Sequence, residues 1–196
     1  MRSAQAIGAG RSRSVSYSAA QTRIIEAALV LFAQQGVGGT SLQMMADAIG
    51  VTKAAIYHQF KTKDEIILAA TEVVLAGIAR AVDAAEAERS RSRARDVLIG
   101  QMIDLAVERR RVVSILQRDP IMVRFLEEHE PFRRVMERLY RVLMGDHAGA
   151  AARVQAAMLS AAIAGAVIHP LVLDLGDDTL RSQLLQFARR FPQLPE

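Results

Sequence analysis

Gln43-Met44-Met45-Ala46-Asp47-Ala48-Ile49-Gly50-Val51-Thr52-Lys53-Ala54-Ala55-Ile56-Tyr57-His58-Gln59-Phe60-Lys61-Thr62-Lys63 is the stretch that decides the fold. Met45, Ala46 and Ile49, with Leu42 just before them, recur at the spacing of one helical face. Gly50 ends that helix, because a residue without Cβ takes the left-handed C-cap conformation at little cost. Thr52 then offers a hydroxyl to the free amides of a new helix. Val51 and Ile56 stand at the N′ and N4 positions of a hydrophobic staple, which would fix the angle between the two helices. Two short helices joined by a tight glycine-containing turn constitute a helix-turn-helix.

In such a motif the second helix lies in the major groove and the first crosses the backbone. Ile56 and Phe60, four apart, face inward, which leaves Lys53, Ala54, Tyr57 and His58 on the outer side. The small Ala54 and Ala55 allow close approach to base edges, and an alanine methyl can meet a thymine methyl. Tyr57 can donate its hydroxyl to phosphate, and His58 can serve phosphate or base. Thr40, Ser41 and Gln43 stand at the preceding helix start, where free amides favour an anion. Lys63 adds a positive charge at the first position of the next helix. The residues thus point to a reader of duplex DNA.

Flanking segments continue the helical pattern. Ser18 and Gln21 predict a capping box for a first helix ending near Gln35, with Ile24, Ala28, Leu31 and Phe32 as its buried stripe and Gly36 as its stop. Thr40 with Gln43, and Thr62 with Glu65, predict two more boxes. The fourth helix reaches Glu86 on a stripe of Ile67, Ala70, Val74, Ile78 and Ala81. Glu88 to Arg95 alternates Arg with Ser and Ala and reads as a solvated turn. Further helices are predicted over 97–107 and 112–117. One kinked helix follows from Asp119-Pro120 through Leu143 across Pro131, then helices over 148–168 and 178–191. No window alternates like a strand. The expected fold is all-α with about nine helices.

At the residues Ile24-Ile25, Ala28, Leu31-Phe32, Gly36, Thr40-Ser41-Leu42, Met45-Ala46, Ile49-Gly50-Val51-Thr52 and Ile56 through Glu65, the chain resembles the TetR/AcrR family of transcriptional regulators. Ala54 departs from the glycine, and Gln59 from the histidine, that members often carry. The resemblance spans residues 18–67. It implies that Thr40, Ser41 and Gln43 contact backbone or flanking bases. Thr52, Lys53, Ala54, Ala55, Tyr57 and His58 would form the recognition surface, with Tyr57 and Lys63 on phosphates. Three parts are expected: a flexible basic arm over 1–17, read from its composition, a three-helix DNA-binding domain over 18–67, and, as the resemblance implies, a helical effector-binding and dimerisation domain over 68–196.

The larger part is read with less to hold on to. Ala152, Ala156, Ser160 and Ala164 place small residues along one helix, permitting close approach of another, while Leu180, Leu184 and Phe187 stripe the last helix. Two such helices from each subunit would make a four-helix bundle. Met102, Leu105, Leu116, Phe125, Phe132, Met136, Tyr140 and Met158 are adaptable apolar candidates for a pocket. Glu127-Glu128-His129-Glu130 is the nearest approach to catalytic chemistry. It lacks a histidine at 133, where Arg stands, for a zinc-protease helix, and a glutamate at 126, where Leu stands, for a di-iron site.

Composition narrows the rest. Hydrophobic residues make up 51% and aromatics only 5%, a balance that favours helices. There are no cysteines, which excludes disulfides and thiolate metal sites and makes a reducing cytoplasm the simpler setting. Residues 1–67 hold seven Lys/Arg against four Asp/Glu, while 68–196 hold eighteen against seventeen, so the basic excess sits where phosphate would be met. Arg2, Arg11 and Arg13 lie in a Gly/Ser-rich start without the apolar run of a signal peptide. Val154 to Leu173 is uncharged over a membrane-span length but is alanine-rich and broken at Pro170, which suits a buried helix better than a membrane one.

The expected protein is therefore a cytoplasmic homodimer without cofactor or metal. It is expected to be a repressor that binds a palindromic double-stranded operator and is released by a small hydrophobic effector. The alternatives are an effector-independent or activating regulator, or a helical adaptor or enzyme on the same scaffold.

Overall fold

The computed structural model describes residues 16–146 and 148–190, with the side chain of Leu116 set aside. These residues form ten α-helices and no strand: α1 (Ala19–Gly39), α2 (Leu42–Ile49), α3 (Lys53–Gln59), α4 (Lys63–Glu86), α5 (Arg91–Glu108), α6 (Arg110–Arg118), α7 (Pro120–Glu128), α8 (Glu130–Met144), α9 (Ala150–Ala166) and α10 (Asp177–Arg190). A single 3₁₀ turn at Pro170–Val172 links the last two. The fold is all-α. The basic arm's first fifteen residues and Phe191 lie outside the described residues.

Local chemistry sets the starts. Ser18 and Gln21 form the full reciprocal capping box at α1, and Thr52 and Thr62 cap α3 and α4 through their hydroxyls. At α4 the box is displaced, since the Glu65 carboxylate accepts from the Lys61 amide at 2.6 Å rather than from the cap itself. The second box is not formed. Ser41, not Thr40, caps α2 by accepting from Met44 N at 3.2 Å. Thr40 instead turns its hydroxyl back to the Gly36 carbonyl at 2.8 Å, satisfying an orphan acceptor at the end of α1.

Two further expectations are corrected. The run Glu88 to Arg95 is not all turn: Ser90 accepts from Arg93 N at 3.1 Å, so α5 begins at Arg91. Arg95 Nε donates to the Leu143 carbonyl at 2.8 Å, and Arg91 donates to that of Met144. Both cations thereby serve the C-terminus of α8, where the helix dipole favours positive charge. The kinked helix across Pro131 is in fact two helices. His129 leaves the helical region at φ −81° and ψ 98°, and the ladder restarts from its carbonyl beyond the proline, which has no amide to continue it.

Burial follows three clusters. The first joins Ile24, Ile25, Ala28 and Phe32 of α1 to Met45 and Ala46 of α2, Ile56 of α3, Phe60, and Ile66, Ile67 and Ala70 of α4. Ile115 of α6 and Met122 and Leu126 of α7 belong to the same cluster. The second gathers the latter half of α4 with α5, α8 and the start of α9. The third packs α5 against α9 and α10. Helix α4 runs unbroken through position 67 and serves the first two clusters, so packing crosses the expected boundary there.

Candidate functional site

The corner between α2 and α3 is set by backbone chemistry. Gly50 sits at φ 69° and ψ 38°, and its amide donates back to the carbonyls of Ala46 and Asp47. The Arg23 guanidinium of α1 donates to the Ile49 carbonyl at 3.1 Å, clamping the end of α2 from behind. Thr52 accepts from Ala55 N at 3.2 Å and starts α3. Ile56 is wholly buried and Phe60 nearly so. With those two facing in, Lys53, Ala54, Ala55, Tyr57 and His58 are exposed on the opposite side.

This outer face is arranged rather than merely free. Lys53 Nζ lies 5.8 Å from the Tyr57 ring centroid, a cation–π contact that holds the two side chains together. Tyr57 remains 44% exposed. His58 Nδ1 is 3.2 Å from Gln59 Nε2. Ser41, Gln43 and Thr52 are exposed at the neighbouring helix starts, with Gln43 Nε2 donating to Asp47 at 2.8 Å. Lys63 is half-buried at the first position of α4. Thr40 is the exception among the expected DNA contacts: it is 2% exposed and its hydroxyl is committed to Gly36, so its side chain is structural. Lys61 is an exposed cation missing from the expected set; its Nζ donates to the Tyr57 carbonyl at 3.2 Å. The signal for it was its place between two lysine-bearing caps.

Residues 24–70 match the family model described as bacterial regulatory proteins, tetR family. Over 57 residues the chain is 47% identical to the HTH-type transcriptional regulator AcrR of Shigella flexneri, a stretch that is 28% of this chain and 26% of that protein. Residues 24–70 thus form a TetR-type DNA-binding segment. A second relative is the HTH-type transcriptional repressor KstR2 of Rhodococcus jostii, 32% identical over 50 residues, 26% of this chain and 24% of that one. The chain thus matches about a quarter of the length of these curated relatives. Solved structures extend the likeness of the fold beyond the helix-turn-helix. The TetR-family regulator PfmR of Thermus thermophilus superposes with TM-score 0.67 at 21% identity, over 93% of this chain and 99% of that one. A TetR-like regulator from a Rhodococcus species gives 0.68 at 17%, over 90% and 97%.

Beyond the helix-turn-helix, the chain encloses a cavity of about 470 Å³ between α4, α5, α6, α7, α8 and α9. The structure brings Met102, Leu105, Phe132, Met136 and Tyr140 of the expected pocket set to its wall. Phe125 and Met158 are not there. Phe125 stacks on His129 with centroids 5.6 Å apart, and Met158 is exposed on the outer side of α9. Leu116's side chain lies outside the described residues. Sequence reasoning missed Arg109 and Gln117, which also line the cavity. A charge standing where α5 gives way to α6 was the available signal.

The expected interface residues are divided. Ala152 and Ala156 of α9 and Leu180 and Leu184 of α10 are buried within their own chain. Ser160 and Ala164 border the cavity. Only Phe187 of that set is exposed. The stripe of small residues lets α9 approach its own neighbours, and the outward apolar side is carried by Val154 and Met158 instead. Leu171 and Leu173 are exposed beside it in sequence, at 81% and 64%.

Proposed function

We propose that this TetR-family regulator is a dimeric repressor that leaves its operator when a small molecule occupies the cavity. The observation that carries the DNA half is the split of α3. Ile56 is locked into the core, while Lys53, Ala54, Ala55, Tyr57 and His58 face outward beside Lys61 and Lys63. Ala54 and Ala55 would approach base edges, and Tyr57, Lys61 and Lys63 would neutralise or bond phosphates. A mobility-shift titration on the DNA upstream of the coding sequence tests this. A Tyr57→Ala plus Lys63→Ala variant should lose binding with its fold intact, and retention of parental affinity would refute the assignment.

The second copy is proposed to dock on the outer side of α9 and on α10, where Val154, Met158 and Phe187 are exposed. Two chains so paired would set their α3 helices about one DNA turn apart, roughly 34 Å, or a small multiple.

Release is supported by a bridge between the halves. Asp119 caps α7 by accepting from Ile121 N at 2.9 Å and Met122 N at 3.1 Å. Its other oxygen accepts from Val37 N of α1 at 2.6 Å. Val112, Val113 and Gln117 of α6 and Leu126 of α7 line the cavity. An occupant that displaces α6 and α7 therefore pulls on the α1–α2 corner through one carboxylate. Differential affinity of the occupant for the displaced arrangement would supply the coupling. A cytoplasmic location fits the same role.

A further inference from the structure

We infer that the molecule accepted by this cavity is an amphiphile with one anionic head: an apolar monocarboxylate held by Arg109. The inference rests on the effector reading and names its chemistry. Nearly the whole wall is aliphatic or aromatic, with Ile78, Leu98, Met102 and Leu139 typical of it. Among the described residues Arg109 is the one charged residue on that wall, accompanied by Gln117, Tyr140 and Ser160 as the polar groups.

Arg109 also has no ion pair or hydrogen bond from its side chain among the described residues. The acids close to it in sequence and on the facing helix are already engaged. Asp104 accepts from Arg181 Nε at 2.8 Å, and Glu108 lies 3.9 Å from the same guanidinium. Asp177 is paired with Arg110. Three acids thus serve the neighbouring arginines and none serves Arg109.

A half-buried cation beside apolar surface is poorly solvated and has an unmet need for an acceptor. A guanidinium presents a planar fork whose spacing matches the two oxygens of a carboxylate. One such fork, with no second cation on the wall, suits a single negative charge better than a phosphate ester. The apolar remainder of the wall suits a hydrocarbon tail, which gains affinity through each methylene taken from water. A neutral apolar molecule would leave the guanidinium without a partner, and a cationic one would be repelled by it.

The test is calorimetric titration of the full chain with octanoate, decanoate, decanol and decylamine, each kept below its aggregation concentration. Decanoate should bind at least tenfold more tightly than decanol and far more tightly than decylamine. Each methylene added between octanoate and decanoate should tighten binding about fourfold. Arg109→Met should weaken decanoate tenfold or more while leaving decanol within about twofold, and Arg109→Lys should recover part of the loss. Leu105→Trp, which fills the cavity, should abolish both. Equal binding of decanol and decanoate by the parent, no binding of either carboxylate, or undiminished decanoate affinity in Arg109→Met would each overturn the inference.

The DNA mobility shift keeps the two readings apart. Arg109→Met should shift operator DNA as the parent does, so a failed ligand experiment leaves the DNA assignment standing. Arg109-dependent binding of decanoate that leaves the DNA complex intact would uphold the ligand class and remove its effector role.

Discussion

Tyr57 carries two separable properties, a ring and a hydroxyl. The ring holds Lys53 by a cation–π contact, whereas the hydroxyl is what would meet phosphate. Tyr57→Phe keeps the first and removes the second, so operator affinity should fall about fivefold, near 1 kcal/mol, in a binding titration. Lys63→Ala should weaken binding evenly across DNA sequences and lower the slope of log affinity against log salt by about one. Thr40→Val should act on stability instead, costing about 1–2 kcal/mol in urea unfolding, because it strands the Gly36 carbonyl beside a buried methyl. Tyr17 offers a pH test. Burial first, and then its hydrogen bond to Glu72, raise its phenol above the ordinary tyrosine range. The unfolded chain then ionises at about pH 10 while the folded chain stays protonated. The stability advantage of the parent over Tyr17→Phe should therefore be constant below about pH 10 and shrink as pH rises beyond it.

Helix ends show why some of this could be read from residues in order and some could not. The caps at Ser18, Thr52 and Thr62 pair a hydroxyl with an amide three residues on, so both partners appear in one glance at the sequence. The bonds of Arg95 to Leu143 and of Asp119 to Val37 join partners 48 and 82 residues apart. No local pattern announces such partners, whereas the Ser90 cap of α5 is local and was hidden by the alternation of Arg with Ser and Ala around it. Thr40 and Ser41 are both good caps, and the choice between them depends on the Gly36 carbonyl, whose direction only the folded α1 defines. The apolar faces of α9 posed the same difficulty: Ala152 and Ala156 lie inward while Val154 and Met158 lie outward, a rotation that composition does not reveal. Gly50 was plain, since a helix-turn-helix corner demands a left-handed residue. Gly50→Ala should cost about 1–2 kcal/mol. No atom lies within 4 Å of the added methyl, so the whole loss is conformational and should appear in unfolding midpoints without a change of fold.

Across the chain, the two halves share a hydrophobic cluster, an unbroken α4 and one bridging carboxylate. Asp119 touches α1 and α7 at once, and a Cβ placed on Gly36, which sits at φ +75°, would stand 3.1 Å from the same carboxylate. Asp119→Ala should leave the mobility shift of the unliganded protein near parental strength but blunt its response to any molecule that fills the cavity. The dimer proposal is tested on the outer side of α9. Met158→Glu should shift sedimentation from dimer to monomer and weaken operator binding at least tenfold, since each half-site would then be met singly.

The first hydrophobic cluster has a consequence for the order of manufacture. Its members Ile115, Met122 and Leu126 come from α6 and α7, while the rest lie before residue 71. During synthesis the DNA-facing helices emerge first with part of their core open to solvent. They can close it only after the chain has grown through α6 and α7 and those helices have left the ribosome. A message cut short after α4 would then yield a helix-turn-helix whose cluster lacks Ile115, Met122 and Leu126, a target for proteolysis rather than a stray DNA binder. Operator occupancy would thereby be reserved for chains that already carry the cavity proposed to govern it.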